Sequence, residues 1–394
     1  MEAYEKLEEI DLLDTDLIYK LEKEVEKLVE ELQSESYQVL VHLRNILTTI
    51  RGNIRKYSEP MDNYSIAAVD SSYDPLPLDL FMGTLCAIVY GYVHYPSGEY
   101  KLSTTILPVR QLTEKEEPSR LVGLHADLLE LKTMYRCLEQ PDIHFDILVR
   151  DGDFPPTEIL FKPYHETREA FRRRLIEATR KIFDRASKLD VGVVGVVKRI
   201  RTSLIAFKTN MEEKLTIRLN DLLVASSVLG EGEYFVLGRY GDLIEDEPLF
   251  PAYLKKRTDS RTIMRTWNEL VELIPQIEDV VIAYYKPRSK IANPIKLLCW
   301  NVDIDNFIRF CIAHTPQYPP YPDFLNLIDK ICLEYSRSLR VSDLMWYALA
   351  NVLERRGLRY LDTPKGKVDL LRPSSVQKLE SIAMKLASIM KVLK

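Results

Sequence analysis

The chain has 394 residues, with 54 Lys+Arg against 59 Asp+Glu and a formal net charge of −5, which on its face argues against a nucleic-acid-binding protein. Its 46% apolar content is ample for a sizeable core, excludes a disordered or fibrous chain, and at roughly 150 residues per domain leaves room for two or three units. No run of about 18 uncharged apolar residues occurs, and the acidic start MEAYEKLEEIDLLD lacks the basic and apolar regions of a signal peptide, so a soluble, cytoplasmic protein is expected.

Taken in chain order, residues 1–36 hold 13 acids and 4 bases, a local balance of −9, so the remainder of the chain is +4. In this acidic segment Ile18, Leu21, Val25, Leu28 and Leu32 recur at helical spacing, and Val39, Leu43, Ile46, Leu47, Ile50 and Ile54 continue the stripe. The spacing predicts a helical hairpin or one long helix to about residue 57, suited either to association or to packing on the chain's own core. At Ser65 the period changes: SIAAVD is a short apolar run that ends on a carboxylate and is bounded by SSYDP, as in a buried strand. TLCAIVYGYVHY, PSG and EYKLSTTILPV read as two strands joined by a tight turn.

Residues 118–140 then carry helical periodicity, FDILVRDGD is a second buried strand ending on Asp151, the basic stretch 164–188 is helical, and VGVVGVVKRI is a third strand. Strand, helix, strand at these spacings predicts α/β crossovers and a mixed sheet. EYFVLGRY, DVVIAYYKP and IKLLCWNVD supply further strands, 322–336 and 341–356 read as helices, and SSVQKLESIAMKLASIMKVLK is an amphipathic tail helix opening on a serine cap. Bases cluster at Arg168, Arg172, Arg173, Arg174, Arg180, Lys181 and Arg185, at Lys198, Arg199 and Arg201, and at Lys255, Lys256, Arg257, Arg261 and Arg265. Each cluster is either a solvated helix face or a phosphate-contacting face.

Asp70 and Asp151 close two buried strands, and in open α/β sheets ligands gather beyond the carboxyl ends of strands. A carboxylate ending a hydrophobic run is costly to bury unless it is paired or binds a metal; Asp before Ser or Gly is also common turn chemistry, so both readings stand. Glu130, among Leu128, Leu129 and Leu131, and Asp329, beside Ile328 and Ile331, are further oxygen donors. Oxygen-only ligands select Mg²⁺ or Mn²⁺ over zinc, which points to metal-dependent phosphoryl chemistry. The single cysteines, Cys86, Cys137, Cys299, Cys311 and Cys332, sit in apolar surroundings without a CxxC pair, so neither disulfides nor a zinc site is signalled. The six histidines form no ligand-spaced pair, and the phosphate-loop, dinucleotide-binding, nucleophile-elbow and zincin motifs are missing.

The order AAVDSSYDP, a helical glutamate, ILVRDGD and VVGVVKRIRTS resembles the NurA nuclease family over roughly residues 61–335. The resemblance implies an α/β fold, an RNase H-like mixed sheet flanked by helices over 61–340, with added N-terminal (1–60) and C-terminal (341–394) helical segments. It also implies a deoxyribonuclease of the two-metal type, a 5′-to-3′ exonuclease on single- and double-stranded DNA and an endonuclease on single strands. Such enzymes work as homodimers with a HerA-type hexameric ATPase in DNA end resection for recombinational repair.

Carried over onto this chain, Asp70 matches the first-strand aspartate, Glu130 the helical glutamate, Asp151 the aspartate of the second motif and Asp329 the ligand after a Tyr-Pro segment. These four are the expected ligands of Mn²⁺ (or Mg²⁺), with Asp70, Glu130, Asp151 and Lys198 expected to be catalytic and Lys198 to contact the scissile phosphate. Tyr285 and Lys286 resemble a tyrosine-containing strand near the site. The chain departs from the pattern at Ser71, where a glycine is usual, and at Asp153, where a serine is usual. Those departures are compatible with a second reading, a non-catalytic subunit docking on a HerA-type translocase; an RNA-directed enzyme of the same fold differs only in substrate.

Overall fold

The computed structural model describes residues 50–59, 63–73, 78–80, 83–109, 118–140, 144–160, 166–202, 204–205, 220–245 and 260–339, Lys23, and short pieces between 351 and 369. Its centre is three parallel strands, β2 (Ile66–Tyr73), β6 (Ile147–Asp151) and β7 (Gly192–Val197), with Ile66 opposite Ile147 and Asp151 opposite Val196. Their apolar residues are buried on both faces, which is why these segments read as continuous hydrophobic runs and not as alternating ones. The crossovers supply the long helices α1 (Pro118–Leu138) and α2 (Glu166–Leu189).

Antiparallel strands extend this centre in both directions. On one side β4 (Gly83–Tyr95) pairs with β2 and turns at Gly98, whose φ of 78° is the left-handed conformation a tight turn needs, into β5 (Tyr100–Val109); β3 (Leu78–Leu80) also pairs with β4. On the other side lie β10 (Ile295–Trp300), β9 (Val281–Tyr285), β8 (Glu233–Arg239) and the short β1 (Arg55–Lys56). The ten-stranded order is β1-β8-β9-β10-β7-β6-β2-β4-β3, with β5 on the free side of β4.

Side chains alternate between two packed layers. Ala67, Val69, Leu148, Val193 and Leu298 face α1, α2 and α5 (Ser260–Leu273), meeting Leu131, Met134, Leu175, Phe183, Trp267 and Leu270. Ile66, Ala68, Ile147, Val149, Val194, Val196 and Leu297 face α6 (Ile304–Ala313) and α7 (Asp323–Leu339), meeting Phe307, Phe310, Cys311, Phe324, Leu325 and Ile328. Each fully buried aliphatic or phenyl side chain contributes about 1.5–3 kcal/mol, so both layers are needed to hold a sheet of this width. Helix starts are satisfied locally: Asp303 caps α6 through Asn306 N at 3.2 Å, and Asn220 caps α3 (Asp221–Val228) through Leu223 N at 2.8 Å.

Two expectations change. The apolar stripe of the N-terminal segment does not run on as helix to residue 57: Ile54 turns extended after a short 3-10 turn at Arg51–Asn53, and Arg55–Lys56 joins β8 as an edge strand. Residues 1–49, Lys23 apart, and the tail helix lie outside the described residues. Within the expected C-terminal helical segment, Tyr360–Thr363 and Gly366–Asp369 instead form a hairpin, β11 and β12. All five cysteines are free and buried, and no helix among the described residues is long and apolar enough to cross a membrane.

The bend after β6 passes directly over β7. A Cβ built on Gly195 would lie 2.3 Å from Phe154 N and 2.7 Å from Gly152 O, backbone atoms that cannot step aside. Gly195→Ala is therefore expected to destabilise the fold by roughly 2–3 kcal/mol or more, read as a lowered urea midpoint with an unchanged slope.

Candidate metal centre

Because β2 and β6 run parallel, their carboxyl ends reach the same edge of the sheet, and the two-residue period decides which side chains share a face. Asp70 continues the Ile66, Ala68 series and Asp151 the Ile147, Val149 series, so both project toward α7. There α7 supplies Asp329. One carboxylate oxygen from each of Asp70, Asp151 and Asp329 lies within 4.8 Å of the others, and among the described residues this is the group that could hold a metal ion. One turn beyond Asp329, the Cys332 thiol donates to the Asp70 carbonyl at 3.8 Å, fixing the helix against the strand.

Among the described residues a single cation, Lys198, is paired with these carboxylates. Lys198, on the turn after β7, places Nζ 2.6 Å from Asp151 Oδ2, also contacts Asp329, and lies 5.1 Å from the centroid of the Tyr321 ring. Burial pushes the Asp70 carboxyl well above the usual carboxylate range, and the charges of Asp151, Glu130 and Asp329 push it further. Asp151 is raised to about 7, by burial first and then by Asp329, against the opposing pull of Lys198. For Lys198, burial favours the neutral amine, but Asp151 and Asp329 together hold the ammonium above its ordinary value. Three converging oxygen donors with one compensating ammonium leave negative charge at a partly dry edge, a donor set and charge that fit a hard divalent cation.

Glu130 is brought near this group but not into it. Ser71 and Arg150, the sequence neighbours of Asp70 and Asp151, point to the opposite face, toward α1. There Ser71 Oγ donates to Glu130 Oε1 and Arg150 Nε to Glu130 Oε2 at 2.7 Å. Arg150, with a side chain 4% exposed, also donates to the Asp153 carbonyl at 2.6 Å and to Asp127. Burial raises the Glu130 carboxyl even against Arg150, and Glu130 and Asp127 outweigh burial in keeping Arg150 charged. Asp153 faces the same layer: its carboxylate takes Lys296 Nζ at 2.7 Å and Thr157 Oγ1 at 2.8 Å, and Lys296 lowers its pKa despite burial. The charge introduced at Asp153 is thus neutralised away from the aspartate trio.

Tyr285 is fully buried in the α6 layer, and the backbone of Lys286 continues the ladder to β8. The neighbouring Tyr284 instead donates to Asp221 at 2.7 Å, and Asp221 also accepts from Thr202 Oγ1 and from Ile205 N at 2.8 Å, tying down the segment that follows Lys198. Asp221, Arg150 and Lys296 were not singled out from the sequence. The available signal was a charged residue inside an apolar strand, ILVRD and IKLLCW. The basic stretch on α2 is largely paired: Arg173 with Glu169 at 3.3 Å, Lys181 with Glu177 at 2.7 Å and Arg185 with Glu139 at 2.9 Å, as in a solvated face.

A mixed sheet with parallel central strands, helices on both faces and acids at the strand ends is an RNase H-like architecture. Within it, the sequence profile of the NurA domain matches residues 64–290, and the chain belongs to the NurA family. Among solved structures it is similar to NurA crystallised with manganese (TM-score 0.50, 13% identity, 84% of this chain and 98% of that one). It is also similar to the NurA nuclease of Sulfolobus solfataricus (TM-score 0.48, 13% identity, 82% and 97%) and to endonuclease V of Bacillus subtilis (TM-score 0.33, 11% identity, 78% and 94%). At such identities the likeness is one of fold. No curated protein matches the sequence.

Lys296 is 1% exposed, so removing it strands the Asp153 carboxylate. Lys296→Met is expected to cost about 3–5 kcal/mol, and adding Asp153→Asn to recover much of the loss; chemical denaturation of the two variants and the wild type measures both.

Proposed function

We propose that the chain is a metal-dependent deoxyribonuclease, hydrolysing phosphodiester bonds at the edge where Asp70, Asp151 and Asp329 converge beside Lys198. The observation that carries this reading is the trio itself, three carboxylate oxygens within 4.8 Å at the carboxyl ends of parallel strands. Membership of the NurA family supports it, as do relatives whose structures hold manganese or dAMP with manganese. Mn²⁺ or Mg²⁺ held there supplies a Lewis acid and an activated water.

The residues then divide the work. Asp70, Asp151 and Asp329 would hold the cation, one carboxylate oxygen each. Lys198, whose ammonium lies among these oxygens, would take a non-bridging oxygen of the scissile phosphate and offset charge as it builds in the transition state. Tyr321, under the Lys198 ammonium, limits where that side chain swings. These groups address phosphate and not base edges, so cleavage is independent of sequence. On the same reading the enzyme cuts 5′ to 3′ on single- and double-stranded DNA and internally on single strands. It acts in the cytoplasm as a homodimer with a HerA-type ATPase in end resection.

The alternative of a non-catalytic assembly subunit rested on Ser71 and Asp153. Ser71 bonds Glu130 and Asp153 pairs with Lys296, so neither departure places charge in the trio, and the nuclease reading is favoured. Asp151→Ala is expected to abolish cleavage of labelled single- and double-stranded DNA while leaving the melting temperature and the mass in light scattering essentially unchanged. Lys198→Met should lower kcat by about 100–1,000-fold. EDTA should silence the wild type and manganese restore it; cleavage that survives both EDTA and Asp151→Ala removes the proposal, and an RNA substrate run alongside decides the sugar preference.

A further inference from the structure

Glu130, Ser71 and Arg150 form a cluster that the nuclease chemistry leaves unused. The two residues that grip Glu130 are the immediate sequence neighbours of the two strand aspartates, and the sheet's alternation puts them on the opposite face: Ser71 behind Asp70, Arg150 behind Asp151. Glu130 therefore spans the carboxyl ends of β2 and β6 from the α1 side, at the place where Asp70 and Asp151 must keep a fixed spacing on the α7 side. The Arg150 guanidinium is not free to let go. It is almost wholly buried and donates at once to Glu130, to Asp127 and to the Asp153 carbonyl, so retracting it would strand buried groups. Lys198 differs: its amine is tied to the trio's own oxygens, which a bound cation would satisfy in its place.

We propose that Glu130 is a positioning residue and not a metal ligand in this chain: with Ser71 and Arg150 it braces β2 to β6 from behind. That leaves Asp70, Asp151 and Asp329 to hold one divalent cation. The proposal rests on the metal-dependent reading of the trio. It also joins two departures of the chain into one device: the serine at 71 supplies one donor to the brace, and the backbone carbonyl of Asp153, anchored through Lys296, accepts from the arginine that supplies the other.

Titration calorimetry with manganese chloride on the wild type and on Glu130→Gln, Glu130→Ala and Asp151→Asn, with melting curves for each, tests it. Glutamine keeps the shape and an acceptor for the brace; alanine removes it. The expected result is one ion per chain for the wild type and Glu130→Gln at closely similar affinity. Glu130→Ala should bind about tenfold or more weaker, the usual size of a loss in the groups that orient metal ligands, and Asp151→Asn should not bind measurably. If Glu130→Gln loses manganese as fully as Asp151→Asn, Glu130 is a ligand and the brace is wrong. Glu130→Ala binding as tightly as the wild type overturns it too, because the spacing of the aspartates would not then depend on Glu130. Asp151→Asn that still binds manganese removes the metal centre itself, a failure distinguishable from either of the others. Arg150→Met is expected to melt well below the wild type, and the Glu130→Gln, Arg150→Met double variant to melt above Arg150→Met alone, since it no longer buries an uncompensated carboxylate.

Discussion

Three carboxylates share one edge of a sheet with the Lys198 ammonium, and in a partly dry setting that charge is unfavourable unless the surrounding structure compels it. The compulsion comes from backbone geometry. Parallel pairing brings the ends of β2 and β6 to the same edge, the pleat turns Asp70 and Asp151 to the same face, and α7 is packed onto that face by Phe324, Leu325, Ile328 and Cys332. Hydrophobic burial along two layers therefore holds in place a cluster that would disperse on its own. The raised carboxyls of Asp70 and Asp151 are the electrostatic trace of that expense.

The same alternation gives the opposite face its own polar arrangement. There Arg150 bridges Glu130 and Asp127 while Lys296 pairs with Asp153, both cations almost completely buried. Among the described residues, two cations meet three carboxylates on that side, whereas on the other Lys198 alone is paired with the trio, so more negative charge is left uncompensated there. The bend from Asp151 to Phe154 links them: it is held by Gly152 N on Val196 O at 2.9 Å, by the lack of a side chain at Gly195 and by the Asp153 pair. Stored charge and local rigidity are separated by the thickness of one strand.

Much of this was legible in the sequence, and the limits have physical causes. SIAAVD and ILVRD announced buried strands ending on acids because parallel strands covered on both faces carry continuous apolar runs, and the hairpin around PSG followed from its turn residues. Of the four carboxylates carried over as ligands, Asp70, Asp151 and Asp329 come together. Glu130 was placed by its match to the family's helical glutamate, which does not tell what it meets behind the strands; that depends on the partners there, Ser71 and Arg150. The end of the N-terminal helix was also hidden. Ile54 kept the helical period, but pairing of Arg55 and Lys56 with Tyr234 and Glu233 overrode it.

The clasp at Asp221 has an effect on Lys198 that is entropic. Asp221 takes Thr202 Oγ1, Ile205 N and Tyr284 OH, and its own N–H reaches Thr202 O at 2.7 Å, so the chain leaving β7 is pinned again within a few residues of Lys198. Between those two anchorages little backbone freedom remains, and the Lys198 ammonium explores space through its own torsions, over a tyrosine ring. Ordering that ammonium on any ligand then costs rotamers of one side chain and not the folding of a loop, since the backbone entropy was given up when the protein folded.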